Sequence, residues 1–376
     1  MATLSPGMLE RTKRACGTGG GIRLAWRSAS GRPRRAERPV AHRAGSLRAA
    51  RRCASGARRG PRACDPVPCA PPGRSTKNQP GNAEVAMQVV DIAPAIGARI
   101  SGMRIDRLGP DEFGKIMQVL LDRHVVCIDG REALNPDAHL SFARRLGTIA
   151  EYPFGKPLNG YPGIFRIVKE RDSTSNFGGV WHTDSPYHAI PPAYTVLCGV
   201  DIPRHGGDTL VANMCAAYEA LPADMKERIA SLDGIFTASK VHGSGTPRFS
   251  IGDVQRIDNR SRADQTYIHP IVRTHPSTGR NGLYVSACHM TGIVGMSMLE
   301  SDQLIKQLSQ QIVDTRFVGR VRWTRGLLVV IDNRCVQHYA LNDYHGQRRE
   351  IHRVLVSDGI APSRARQREA SHAISH

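Results

Sequence analysis

Many short apolar runs punctuated by Gly, Pro, Asn and Asp, few helical periods, and no regular alternation of strand with helix predict a mainly β fold with flanking helices. The form expected is a double-stranded β-helix core, jelly-roll and cupin-like, rather than a doubly wound parallel sheet. With 376 residues, 40% of them hydrophobic, the chain can bury one sizeable core or two modest ones.

The folded part is expected to open at Met87, where Met87–Pro94 and Ala98–Ile105 read as short β runs broken by Pro and Gly. Pro110–Leu121 follows as a helix, with Pro and acids in its first turn and Phe113, Ile116, Met117 and Leu120 on one face. Val125–Asp129 reads as a buried strand, and Asn135–Gly147 as a helix capped by Asn and stopped by Gly. Further strands are predicted at Gly163–Val168, Tyr194–Val200, Thr209–Ala212, Leu283–Ser286, Leu327–Asp332 and Glu350–Val356, with helices at Ala216–Leu232 and Glu300–Val313. No internal repeat is visible. The end beyond Ala361, with Arg364, Arg366 and Arg368 and no apolar period, is expected to fray, giving a tail at 363–376.

The net charge of +19 suggests a nucleic-acid binder until it is divided by position. Residues 1–86 hold 18 Lys+Arg against 4 Asp+Glu, a surplus of +14; the rest holds 34 against 29, a surplus of +5. With 11 Gly, 9 Pro and one aromatic, Trp26, that first stretch cannot offset its ordering entropy by burial and is expected to be disordered. A nucleic-acid arm and a transit peptide are both compatible with its composition. Neither has a specific signal, so an extension without function, with true initiation at Met87, is the plainer expectation.

No apolar stretch approaches the roughly 20 residues of a membrane helix, and no charged-then-apolar leader is present, which predicts a soluble protein without membrane contact. Nine Cys without any Cys-x-x-Cys spacing argue against a zinc ribbon or a thioredoxin-type site and fit reduced thiols in a cytoplasmic protein.

Of 15 His residues, only His182 begins a His-x-Asp or His-x-Glu tripeptide, His182-Thr183-Asp184. Residues i and i+2 of a strand project from one face, so His182 and Asp184 can converge on one metal ion. A third ligand would complete a two-His-one-carboxylate facial triad, which leaves coordination positions open on a ferrous ion. His338, just past the apolar run Leu327–Ile331 at an expected strand end beside a turn, is the candidate. Eleven residues on, strand alternation places Arg349, Ile351 and Arg353 on one face and Arg348, Glu350 and His352 on the other. Two guanidiniums on an otherwise apolar face call for anions, and Arg suits carboxylate or sulfonate.

These residues resemble the taurine dioxygenase and 2,4-dichlorophenoxyacetate dioxygenase family of Fe(II)- and 2-oxoglutarate-dependent enzymes. The resemblance runs from about Val89 to Asp358 through Ile96–Gly102, Phe142–Gly147, Trp181–Asp184, Gly206–Thr209, His269–Pro276 and Asp332–Arg353. It implies that His182, Asp184 and His338 bind Fe(II), that Arg349 and Thr209 hold the distal carboxylate of 2-oxoglutarate, and that Arg353 faces the anionic end of the primary substrate. It also implies O2-dependent hydroxylation with succinate and CO2 as co-products, the ligand carboxylate Asp184 favouring hydroxylation over halogenation, and a homo-oligomeric assembly. The pocket departs from the taurine enzyme: its His-x-x-Tyr contacts fall on Tyr152 and Gly155, a contacting Asn within Gly178–Val180, and a pocket Phe on His289. Together with Ser185, Tyr152 and His289 are the substrate-pocket candidates. The departures predict a different small anion, an alkyl sulfonate, a sulfate ester or a carboxylate.

A rival reading from another class is a non-catalytic, metal-binding jelly roll that contacts nucleic acid through the Arg-rich arm. The triad and Arg349 favour the enzyme, and nucleic acid is not the expected partner.

Overall fold

The structure, a computed structural model, describes residues 87–130, 132–243 and 259–365. The expected disordered extension of residues 1–86 lies outside the described residues, as does 366–376 of the expected frayed end. Two residues of that end are tied down: the Ser363 carbonyl accepts from Thr274 N at 2.8 Å, and Arg364 Nη2 donates to the Leu232 carbonyl and to Asp233 at 2.7 Å.

A hairpin of β1 (Gln88–Asp91) and β2 (Ala98–Ser101) leads through α1 (Pro110–Arg123) to β3 (Val125–Ile128), which runs parallel to β2. Next come α2 (Pro136–Arg144), β4 (Thr148–Ala150), β5 (Pro157–Leu158), β6 (Tyr161–Lys169), β7 (Tyr194–Asp201) and β8 (Thr209–Asn213). The middle of the chain holds α3 (Met214–Glu219), α4 (Ala223–Ile229), β9 (Asp233–Thr237), α5 (Ser239–His242), α6 (Arg260–Ala263), β10 (Thr266–Pro270), β11 (Val272–Thr274), β12 (Asn281–Leu283) and β13 (Met290–Ile293). After α7 (Met298–Ile312), four strands close the chain: β14 (Val318–Val321), β15 (Leu328–Asp332), β16 (Val336–Ala340) and β17 (Arg349–Ser357).

The large sheet has the order β1-β2-β3-β15-β7-β17-β6-β5, with β4 on one end of β17; the small sheet is β14-β8-β16, and β10-β9-β13 and β11-β12 lie apart. Strand alternation builds two cores from one sheet. Val126, Ile128, Val196, Cys198, Leu328 and Val330 face α1 and α2, packing on Ile116, Leu120, Leu140 and Phe142. Cys127, Leu197, Val329, Ile331 and Ile351 face the other way, onto Val211, Val321 and Val336 of the small sheet. The result is the predicted mainly β fold, two sheets face to face with helices on the outer face. Among the described residues no helix is long and apolar enough to cross a membrane.

Most predicted elements are present, and α1 buries the expected face through Ile116 and Leu120, each contributing about 2 kcal/mol by burial. The single helix expected over Ala216–Leu232 is two, because Pro222 has no N–H to continue α3 and instead caps α4. The helix expected from Glu300 starts at Met298: Ser297 is its cap and Glu300 closes the capping box from the third position. Of the strand expected at Leu283–Ser286, only Leu283 lies in a ladder.

Candidate active site

His182 and Asp184 do not sit on a continuous strand. His182 forms an isolated antiparallel bridge with His338, the two backbones exchanging hydrogen bonds of 3.1 and 2.8 Å. His338 is the central residue of β16, paired with Val211 of β8, rather than at a strand end. The turn at Asp332–Cys335 lets the chain reverse and re-enter the small sheet, so alternation sends Val336 and His338 to the apolar interior between the sheets. The expected convergence therefore arises through the His182–His338 bridge.

One ligand atom from each of His182, Asp184 and His338 lies within 4.8 Å of the others, and all three residues are buried. His182 Nε2 is 3.9 Å from Asp184 Oδ1, and His338 Nε2 is 4.0 Å from Oδ2. His182 Nδ1 sits 2.7 Å from the Val180 carbonyl, which fixes the proton on that nitrogen and turns the Nε2 lone pair inward. Two imidazoles and a carboxylate in this arrangement fit a ferrous ion.

Burial would raise the Asp184 pKa, but the Arg353 guanidinium overrides it and holds the carboxyl well below its usual range. Arg353 Nη1 donates to Oδ1 at 2.8 Å, and Thr195 Oγ1 donates to Oδ2 at 2.6 Å. Asn333 Nδ2 in turn donates to Thr195 Oγ1 at 2.8 Å, fixing the hydroxyl as donor toward the carboxylate. Burial lowers both histidines, His338 to about 3, so both rings are neutral and ligand-competent near pH 7.

Arg349 and Arg353 share the inner face of β17, as alternation predicts. The outer face carries the acids and bases expected there: Glu350 accepts from Arg166, Arg348 and His352 at 2.8, 2.6 and 3.0 Å. Arg349 is buried, its Nε has no hydrogen-bond partner among the described residues, and its Cζ lies 5.6 Å from the Trp323 ring centre. Trp323 Nε1 donates to Thr209 Oγ1 at 2.9 Å, which occupies an acceptor lone pair and leaves the Thr209 proton free to donate. Trp323 thereby links Thr209 to Arg349. Gly207, at φ 72°, permits this: a Cβ there would stand 3.0 Å from Arg349 Cδ. A buried guanidinium with an unpartnered Nε, linked through Trp323 to a hydroxyl that can donate, fits the carboxylate end of 2-oxoglutarate.

A cavity of about 500 Å³ is lined by His182 and Asp184 of the triad and by all four expected pocket residues, Tyr152, Ser185, His289 and Arg353. Tyr152, Phe165 and Phe177 surround Arg353, with ring centres 4.4, 5.1 and 5.2 Å from Cζ. Nη1 is committed to Asp184, while Nε and Nη2, the side-on fork, have no hydrogen-bond partner among the described residues. Ser185 Oγ donates to Tyr187 Oη at 3.3 Å, and burial holds His289 neutral beside the His182 ring. At Gly155 a Cβ would stand 1.8 Å from Phe165 Cε2, so the edge of the Phe165 ring takes the volume at this departure from the taurine enzyme's contacts. Sequence reading missed Thr195, Asn333, Phe177 and Tyr187, whose partners are distant in the chain or carry no motif.

Two other buried groups could hold a metal by distance, His124, Cys215 and Cys335, and His275, Asp332 and Cys335. Asp332, however, already accepts from Arg334 at 2.6 Å and faces His275 Nε2 at 2.9 Å, the local ion pair its motif suggests.

Known proteins place this geometry. The chain is 31% identical over 271 residues to the "Alpha-ketoglutarate-dependent 2,4-dichlorophenoxyacetate dioxygenase" of Cupriavidus pinatubonensis, covering 67% of this chain and 91% of that protein. It is 29% identical over 277 residues to the "Alkylsulfatase" of Acinetobacter baylyi, covering 73% and 86%. The crystal structure of a taurine dioxygenase from Burkholderia xenovorans superposes with a TM-score of 0.61 at 29% identity, covering 74% of this chain and 93% of that one. A sequence model described as "Taurine catabolism dioxygenase TauD, TfdA family" matches residues 88–355, which span both sheets and every residue of the triad. On that match the chain belongs to the TauD/TfdA family of dioxygenases.

Proposed function

We propose that the chain is an Fe(II)- and 2-oxoglutarate-dependent dioxygenase that hydroxylates a small anionic organic compound, an alkyl sulfonate, a sulfate ester or a carboxylate, with succinate and CO2 as co-products. Residues 87–362 form the catalytic domain in this reading. His182, Asp184 and His338 hold the iron, Thr209 and Arg349 hold the distal carboxylate of 2-oxoglutarate, and Arg353 meets the anionic end of the substrate. Tyr152, Ser185 and His289 line its pocket. The observation that carries the reading is the convergence of three ligand atoms within 4.8 Å at a cavity that the half-committed Arg353 also lines.

When bound, iron, 2-oxoglutarate and O2 supply oxidative decarboxylation coupled to oxidation of an unactivated C–H bond. The chain's own residues prepare that chemistry. Arg353 and Thr195 keep Asp184 ionised, and the apolar interior keeps both imidazoles neutral. The free fork of Arg353 orients an incoming anion by two parallel hydrogen bonds, placing the rest of the substrate along the cavity. Tyr152, Phe177 and Tyr187 restrict water around the reacting bond. Relatives named for a sulfate ester, an alkyl sulfate and a phenoxyacetate support an anion anchored in this way.

The test is an anaerobic titration with Fe(II) and then 2-oxoglutarate. A visible metal-to-ligand charge-transfer band in the wild type, lost in Asp184→Ala and weakened in Arg349→Ala, is expected. Its absence from folded, iron-replete protein would overturn the reading. A succinate-release screen over alkyl sulfonates, sulfate esters and carboxylates then identifies the substrate class, with sulfite release marking a sulfonate.

A further inference from the structure

Lys169 ends β6, and its Cα register partner across the sheet is Arg349 of β17. Cross-strand partners point to the same face, so two cations stand side by side in the interior between the sheets. Both are buried, Lys169 at 2% exposure and Arg349 at 4%. Lys169 Nζ and Arg349 Nε have no hydrogen-bond partner among the described residues. Tyr344 lies against both, its ring centre 4.5 Å from Lys169 Nζ and 5.9 Å from Arg349 Cζ.

The nearby acids are committed elsewhere. Asp208 accepts from Arg320 at 2.6 Å, Asp343 accepts from Gly207 N at 2.7 Å, and Glu170 and Asp201 accept from Arg348 at 3.1 and 2.9 Å. Like charges facing one another across a ladder destabilise it, and a buried ammonium without an acceptor is more costly still. An aromatic face offsets part of that penalty and leaves the ammonium's donors unsatisfied. The arrangement is therefore incomplete without an anion.

We propose that Lys169 is a second cationic binding residue for the distal carboxylate of the 2-oxo acid co-substrate, acting with Arg349. The inference rests on the reading of Arg349 as that carboxylate's primary anchor and extends it to a residue in no recognised motif of this chain. A site with two cations distinguishes a dicarboxylic 2-oxo acid from a monocarboxylic one more sharply than Arg349 alone, because loss of the distal carboxylate leaves two buried charges unpaired.

The test is calorimetric binding to the full-length, Mn(II)-loaded protein, with no turnover required. The ligands are 2-oxoglutarate and 2-oxovalerate, which has a methyl in place of the distal carboxylate. The proteins are wild type, Lys169→Met, Lys169→Arg and Arg349→Met. Lys169→Met is expected to weaken 2-oxoglutarate binding by about 10- to 100-fold and to change 2-oxovalerate binding less than about twofold. Lys169→Arg is expected to recover most of the loss. The melting temperature of ligand-free Lys169→Met is expected to equal or exceed wild type, since an unpaired buried charge is removed.

Equal weakening of both ligands, or unchanged 2-oxoglutarate affinity in Lys169→Met, overturns the role of Lys169. If Lys169→Met does not fold, Lys169→Gln takes its place, and unchanged 2-oxoglutarate affinity in that variant decides against the role in the same way. Arg349→Met separates the two levels: if it too leaves 2-oxoglutarate binding unchanged, the underlying assignment of Arg349 has failed. If it weakens binding while Lys169→Met does not, only the proposal for Lys169 has failed.

Discussion

His182 and His338 are joined by their own backbones, each N–H donating to the other's carbonyl, so two imidazoles 156 positions apart in sequence are held with ring centres 4.2 Å apart. Their spacing is set by hydrogen bonds and by the packing of β16 in the small sheet.

The metal-free protein is therefore expected to be folded. Treatment with a chelator should leave the far-ultraviolet circular dichroism spectrum unchanged. Re-adding Fe(II) anaerobically at about 100 times its dissociation constant should stabilise the protein by mass action alone, about 2.7 kcal/mol. A cooperative loss of secondary structure on chelation would contradict a preformed site.

Arg353 and Asp184 form a fully buried ion pair at 2.8 Å. Arg353→Gln leaves the carboxylate without its countercharge and should destabilise metal-free protein by about 3–5 kcal/mol in urea unfolding. A divalent ion supplies positive charge to the same carboxylate, so the deficit should narrow in metal-loaded protein. An equal deficit in both forms would show that the pair acts only through packing.

Thr195→Val keeps shape and removes the hydroxyl that donates to Asp184 Oδ2. Metal affinity is expected to fall about 10- to 100-fold, as for other supports of ligating carboxylates, with the fold retained. Competition titration against a chromophoric chelator measures it, and wild-type affinity would rule out the Asn333-Thr195-Asp184 relay as a support of the site.

His139 is 1% exposed, its Nε2 lies 3.2 Å from the Val196 carbonyl, and burial lowers its pKa to about 4. In the unfolded chain it titrates near 6.5, so the unfolded state binds the extra proton between those values. Its contribution is fully present above pH 6.5 and is lost as pH falls toward 4, by about 3 kcal/mol. His139→Gln, which keeps an N–H for Val196, should flatten the stability curve in that window. An unchanged slope would place the acid sensitivity elsewhere.

The parts of the fold and site legible in sequence were those with short-range periodicity. The apolar run of β15, the alternation of Arg349, Ile351 and Arg353, and the tripeptide at His182 each follow from a period of two residues. The arrangement failed to show where geometry depends on partners far along the chain. Asp184 is positioned by Thr195 and Asn333, neither of which stands in a local pattern with it, and the His182–His338 bridge has no signature in either segment. The break at Pro222 was visible in the chain, and there the helical period on either side outweighed the missing N–H.

Gly155, just before β5, and Phe165, in the middle of β6, divide one volume: the ring of one occupies the space a side chain on the other would need. The shape here is thus encoded by a pair, and the two sites are epistatic. A lineage or an engineer seeking a side chain at Gly155 must first shrink Phe165, and shrinking Phe165 alone strips Arg353 of one of its aromatic neighbours. Single-site libraries at either position will accordingly miss variants that a two-site library can reach.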